Sequence, residues 1–485
     1  MPRRDALLLA GIVLLSVGLY LAVSAFYYRI GFPLDDAWIH QTYARNLAVR
    51  GEWAFVPGQP SGGSTAPLWS ALLAVGFWLH LAPYFWTYLL GTLTLGGLAF
   101  LGETTARRLV ASYRPRFPWA GAALALEWHL VWAAVSGMET LLYAFLSTAV
   151  LVMLIARPRK CFGLGLLIGL SVWVRPDGVT LLAPAVLVLL LDGSGWRERG
   201  QRLFNLLLGF GGLFALYLLF NLLVAGSPWP NTFYAKQAEY AAYLTLPIFQ
   251  RLGSELLQPL VGFGVLLLPG FVLTLVSAIR RRAWGVLAAA AWCLGFLALY
   301  ALRLPVTYQH GRYVIPAMPV YFILGLAGLL EFVREDQPHW RWFVVTFWKL
   351  ATGLTLLAFC GYGAYRYAQD VAIIESEMVT TAKWVSANIP PEALVAAHDI
   401  GALGYFGDHN LVDLAGLVSP EVIPFIRDEQ RIAAYLDERG VQYLVTFPDW
   451  YPSLTSGLTP VFTTGAPYSP LFGETNMTVY EWPRR

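Results

Sequence analysis

The stretch Leu7-Leu8-Leu9-Ala10-Gly11-Ile12-Val13-Leu14-Leu15-Ser16-Val17-Gly18-Leu19-Tyr20-Leu21-Ala22-Val23 is followed, after a short connection, by Phe32-Pro33-Leu34-Asp35-Asp36-Ala37-Trp38. Its apolar part has the length and composition of a bilayer-crossing helix, which takes about 20 apolar residues. Two adjacent carboxylates then stand where that helix leaves the membrane. Neighbouring like charges raise each other's cost of ionisation, so such a pair needs hydrogen bonds or a cation. Working outward, similar apolar runs recur to about residue 363, and the chain of 485 residues is 57% hydrophobic and 13% charged. Soluble domains carry roughly 25% charged residues. Three quarters of the chain therefore reads as a bundle of membrane helices. The net charge of +3 and the lack of a basic tract give no indication of a nucleic-acid partner. Cys161, Cys293 and Cys360 lie in apolar runs without metal-type spacing, which implies no disulfide framework.

Eleven spans are predicted, near 6–28, 84–106, 119–135, 140–156, 161–174, 179–191, 204–225, 256–279, 284–302, 313–333 and 342–364. The first is read as an uncleaved helix behind Met1-Pro2-Arg3-Arg4. The run 67–81 decides the topology, because a crossing there would invert every later loop. Without it, seventeen basic residues fall on the cytoplasmic side: Arg3, Arg4, Arg107, Arg108, Arg114, Arg116, Arg157, Arg159, Lys160, Arg197, Arg199, Arg202, Arg280, Arg281, Arg282, Arg334 and Arg341. Only eight fall outside, so the positive-inside bias makes 67–81 a shallow or re-entrant helix. The N-terminus is then cytoplasmic, 29–83 is the first outer loop, and 366–485 lies outside. Chosen on basic residues alone, this scheme also gathers the unusual polar residues on the outer side.

Asp35 and Asp36 are candidate general bases, one of them accepting a hydroxyl proton; the plain alternative is a cap for the helix that follows. Residues 37–50 are expected to form an amphipathic helix along the interface, and Ser61-Gly62-Gly63-Ser64-Thr65 a flexible linker. Glu139, in Ser136-Gly137-Met138-Glu139-Thr140, lies at the outer junction of two spans, where a carboxylate is costly without a partner. Arg175-Pro176-Asp177-Gly178 separates two runs too short to span fully, which puts Arg175 and Asp177 in a protein-lined cavity. Arg175 either grips phosphate or closes an ion pair with Asp177. Lys236 and Arg312 are further outer cations; with Arg175 they make a candidate phosphate site. His40, Asp177 and His310 complete the candidate substrate-binding residues, although each histidine is read first as a structural polar group. No glycine-rich phosphate loop or histidine metal motif is present.

Leu34-Asp35-Asp36-Ala37-Trp38-Ile39, Tyr43-Ala44-Arg45-Asn46-Leu47, Pro57-Gly58, Gly62 and Pro67-Leu68-Trp69, with Glu139 about 100 residues after the acidic pair, resemble the membrane glycosyltransferases of the C-type fold. The strings are most similar to the mycobacterial terminal arabinofuranosyltransferase branch. More distantly they resemble protein mannosyltransferases and the aminoarabinose transferase of lipid A. The resemblance implies an inverting transfer of a sugar from a polyprenyl-phosphate donor to a glycan, lipid or protein acceptor, in the cytoplasmic (inner) membrane of a bacterial-type cell. It implies Asp35 or Asp36 as the base, the choice staying open. Glu139 would position the acceptor or, with Asp36, bind a divalent cation such as magnesium or manganese, which some relatives need and others do not. The competing class is a transporter of a lipid or sugar. Transporters place charges near the midplane and often repeat their halves; here no repeat is seen and the charges gather at one end.

After Tyr365 the composition shifts, giving an expected membrane module over 1–365 and an outer domain over 366–485. Helices are predicted at 371–387 and 427–438 and strands at 393–397, 411–414, 441–447 and 477–482, an alternation typical of a small α/β layer. His398, Asp399 and Asp413 end strands, where such layers often bind ligands; a lid over the cavity is the preferred reading.

Overall fold

The computed structural model describes residues 1–110, 113, 115–156, 160–193, 195–332 and 339–483. Arg114, Arg157, Arg159 and Arg334, counted above as cytoplasmic, lie outside these residues, as does the side chain of Arg341. The chain is mostly helical. Among the described residues, seven helices are long and apolar enough to cross a membrane: Arg3–Tyr27, Pro83–Leu109, Trp196–Ala225, Gly264–Arg281, Trp284–Arg303, Tyr308–Phe332 and Phe343–Asn388. The other expected spans are shorter. Thr140–Ile155, Cys161–Val174 and Pro176–Leu191 have 10–17 residues. The run 119–135 splits into Trp119–Leu126 and Trp128–Val135. The break is made by buried Glu127, whose carboxylate accepts from Leu130 N at 3.0 Å and lies 2.8 Å from His129 Nδ1.

At the basic end, Arg107 Nη2 donates to Asp5 at 2.6 Å, so the start of the first helix and the end of the helix Pro83–Leu109 share a side, as the charge argument requires. Pro67–Trp78 is a twelve-residue helix packed beside Asp36–Arg50. Asp36–Arg50 itself departs from expectation. It is buried inside the protein, not laid on the interface, with residues Ala37 to Ala44 and Asn46 all inaccessible. Its polar side chains are individually satisfied: Gln41 bonds Thr87 at 2.8 Å, and Asn46 bonds the Ala54 and Phe55 carbonyls at 2.9 and 3.0 Å. An average over the helix faces hides this, because a polar group with a partner is no obstacle to burial. The Ser61–Thr65 stretch is likewise packed. Gly63 N donates to Tyr43 Oη at 2.9 Å, and a Cβ on Gly63 would lie 2.6 Å from Val418.

The last membrane helix runs from His339 to Ile374, through a π-helical turn Glu375–Val379, into Thr380–Asn388. The composition shift at 365 thus falls inside a continuous rod. Beyond it, strands β3 (Leu394–Ala397), β4 (Asn410–Asp413), β5 (Tyr443–Thr446), β6 (Thr459–Thr463) and β7 (Thr478–Glu481) form one sheet in the order β4-β3-β5-β7-β6; β1 (Ala54–Val56) and β2 (Gln59–Pro60) make a small hairpin in the first loop. β3 pairs in parallel with β4 and β5, while β7 runs antiparallel to β5 and β6. β6 was not foreseen; its Pro460 and exposed edge position weaken its strand signal.

Candidate active site

A cavity of about 370 Å³ opens where the short loops meet Leu417 of the C-terminal region. Asp36, His40, Glu139, Arg175, Asp177, Lys236 and Arg312 all line it, although more than 270 positions separate the first from the last. Two expected residues do not. Asp35 is turned away from it, and His310 Nε2 lies 2.8 Å from Asp370, wedged edge-on against Trp128 and Trp132. His310 belongs to the structural reading, because its ring is consumed by that contact.

The acidic pair divides its work. Asp35 Oδ2 accepts from Gly401 N at 2.6 Å and Oδ1 from Ala402 N at 2.8 Å. Burial pushes the Asp35 carboxyl up to about 7, against the pull of these two amides. Asp36 opens the following helix and faces the cavity, where Oδ2 accepts from Arg312 Nη2 at 2.7 Å. Burial opposes its ionisation, but Arg312 and then Lys236 and His40 hold its carboxyl below the usual range. Gly137 lets the loop carrying Glu139 come close: its φ is +80°, and a Cβ there would lie 2.6 Å from Ala37 Cβ.

Glu139 is held from two sides. Its Oε1 accepts from Arg175 Nη1 at 3.1 Å, and its Oε2 stands 3.4 Å from His40 Nε2. His40 Nδ1 is 3.0 Å from Ser70 Oγ and 3.3 Å from Ser64 Oγ, which fixes the ring. Arg175 also binds Asp177 Oδ2 through Nε and Nη2, at 3.1 and 3.0 Å, and Tyr300 Oη at 2.7 Å. Its three guanidinium nitrogens are therefore occupied, and the ion-pair reading of Arg175 describes the geometry. Arg312 differs: its Nε and Nη1 are buried without a hydrogen-bond partner among the described residues. A turn with positive φ at Gln309, His310 and Gly311 delivers it, a strained backbone that no sequence pattern announced. Lys236 Nζ donates to Glu239 Oε2 at 3.1 Å.

Asp36 and Glu139 pair with different arginines, and among the described residues no group of three or more His, Cys, Asp or Glu side chains is arranged to hold a metal ion. The candidate cation pair faces one cavity, each carboxylate held by its own arginine. The sequence reading missed Tyr300, Trp229, Phe233 and Leu417, which also line the cavity. Apolar and aromatic residues in a hydrophobic chain carry no distinguishing signal. Asp399, expected only as a strand-end residue of the outer domain, interacts electrostatically with the acidic pair, and its carboxyl is pushed up by burial and by Asp35 and Asp36.

This fold is similar to that of solved membrane glycosyltransferases. ArnT from Cupriavidus metallidurans matches over 98% of both chains with a TM-score of 0.58 and 15% identity in its apo state, and with 0.57 and 16% when bound to undecaprenyl phosphate. The arabinofuranosyltransferase AftD from Mycobacteria matches all of this chain and 42% of its own, with a TM-score of 0.55 and 16% identity. In sequence, the terminal β-(1→2)-arabinofuranosyltransferase of Mycobacterium tuberculosis is 26% identical over 381 residues, 68% of this chain. The chain spans about three fifths of the length of that curated relative. Residues 364–480 match a family model described as a domain of unknown function, DUF8728.

Proposed function

We propose that the protein is an inverting glycosyltransferase that moves a sugar from a polyprenyl-phosphate donor to an extracytoplasmic glycan, lipid or protein acceptor. The observation that carries this reading is the Asp36 carboxylate facing the same cavity as Lys236 and the half-unpartnered Arg312. In this reading the acceptor oxygen attacks the anomeric carbon as the bond from that carbon to the phosphate oxygen breaks. The electron pair leaves with polyprenyl phosphate, and the hydroxyl proton passes to Asp36. Lys236 and Arg312 stabilise the phosphate as its charge develops. The two cations that hold down the basicity of Asp36 are those the phosphate engages. A bound donor therefore strengthens the base just when it is needed. Glu139, oriented by Arg175 and His40, is assigned to the acceptor.

The apolar part of the cavity lining, including Trp229, Phe233 and Leu304, suits a lipid-linked donor better than a soluble one. We assign residues 1–365 to the membrane module, with eleven crossings and a cytoplasmic N-terminus in an inner membrane, and 366–485 to the outer layer. The relatives that act on or bind arabinofuranose and undecaprenyl phosphate support the donor class. The test is a screen of polyprenyl-phosphate sugars with the full chain in proteoliposomes, read by mass spectrometry of the products. Transfer that is lost in Asp36→Asn supports the reading. Transfer unchanged in Asp36→Asn, or no transfer from any donor, sinks it.

A further inference from the structure

The five residues from His398 to Ala402, running from the end of β3 into the first turn of the helix Gly401–Phe406, touch both halves of the site from outside the membrane module. His398 Nε2 lies 3.2 Å from Glu239 Oε1, and Glu239 Oε2 accepts from Lys236 Nζ at 3.1 Å. His398 is itself fixed by Tyr451 Oη, 2.7 Å from Nδ1, and Arg427 Nη2 adds a longer contact to Glu239 at 3.4 Å. Glu239, His398 and Tyr451 are all buried. Three positions on, the amides of Gly401 and Ala402 hold the Asp35 carboxylate at 2.6 and 2.8 Å, next to Asp36. A Cβ on Gly401 would lie 2.1 Å from the Asp35 carbonyl oxygen, so the fit tolerates only glycine there.

We propose that this turn is a two-armed positioning device: through His398 and Glu239 it sets the Lys236 ammonium, and through Gly401 and Ala402 it sets the Asp35–Asp36 peptide and hence the base. The region that matches DUF8728 is then a working part of the site and not only a cover. The inference rests on the glycosyltransferase reading above. Its physical content is that both arms are desolvated and charge-assisted, where hydrogen bonds are short and directional. A charged group fixed this way loses little freedom when substrate arrives, and displacement by an ångström is costly to rate.

The two arms make separable predictions for the full chain in proteoliposomes. His398→Ala weakens binding of undecaprenyl phosphate, the probe for the cation arm, about tenfold, on the scale of a lost hydrogen bond to a charged group. It leaves kcat at saturating donor near the wild-type value, and His398→Gln restores binding. Gly401→Ala lowers kcat about a hundredfold and leaves undecaprenyl phosphate binding near wild type. A merely structural role would instead lower both quantities together, in step with the folded fraction followed by thermal unfolding. Such a parallel fall, or wild-type constants in both variants, overturns the proposal. If Asp36→Asn and Lys236→Ala also retain wild-type transfer, the glycosyltransferase reading fails with it. If those two are impaired while the turn variants are not, this inference alone fails.

Discussion

Asp35 and Asp36 are adjacent in the chain, yet their carboxylates serve different partners: Asp35 is bound by the Gly401 and Ala402 amides, and Asp36 by the Arg312 guanidinium 2.7 Å away. The pair is thus one structural anchor and one group open to chemistry. Asp36→Asn is expected to lower transfer by about 10²–10⁴-fold, the range of a lost general base, with little change in thermal stability. Asp35→Asn is expected to lower the unfolding temperature more than Asp36→Asn does. Rate and melting measurements on the two purified variants check the division; equal effects would contradict it.

The cations should also separate. Arg312→Ala and Lys236→Ala are expected to weaken undecaprenyl phosphate binding by about tenfold or more each. Arg175→Ala acts differently, because it strands Glu139 and Asp177 in a buried site; its expected cost is about 3–5 kcal/mol of stability. Calorimetry of ligand binding beside thermal unfolding distinguishes the two outcomes. A stable Arg175→Ala protein with weakened phosphate binding would return Arg175 to the phosphate site.

His310 offers a negative control. Its ring is taken up by Asp370 and two tryptophans. His310→Phe removes one of two hydrogen bonds at Asp370 Oδ2, the Trp132 Nε1 bond at 3.0 Å remaining, so it should cost about 1 kcal/mol, while folded protein keeps wild-type donor affinity. Loss of affinity at full stability would place His310 in the substrate site after all.

The pH dependence has two parts of opposite sign. Asp36, held below the usual carboxylate range, must be ionised to serve as the proposed base, so transfer should persist down to pH values where an ordinary carboxylate is half protonated. Asp35 is raised to about 7, against about 4 in an unfolded chain. A raised carboxylate means that the folded state binds more protons than the unfolded state between those values. Its contribution is complete below about pH 4 and is lost as pH rises through about 7. Thermal unfolding of wild type across that window should show a fall that Asp35→Asn lacks; parallel curves would argue against the shift.

The sequence alone carried the membrane-protein character of the fold, because about twenty apolar residues in a row have few other uses. It also marked Asp36, Glu139, Arg175, Lys236 and Arg312, since charges at span boundaries are costly enough to need a reason. It did not say which aspartate faces the cavity, that the helix Asp36–Arg50 is buried, or that Arg175 is already neutralised. Those facts depend on which group stands opposite each side chain across hundreds of residues. Gly401 opposite Asp35, Arg312 opposite Asp36 and His398 opposite Glu239 are pairings only the tertiary structure makes. A carboxylate has the same composition whether it meets an amide, a guanidinium or water; its chemistry is decided by the partner that folding brings within 3 Å.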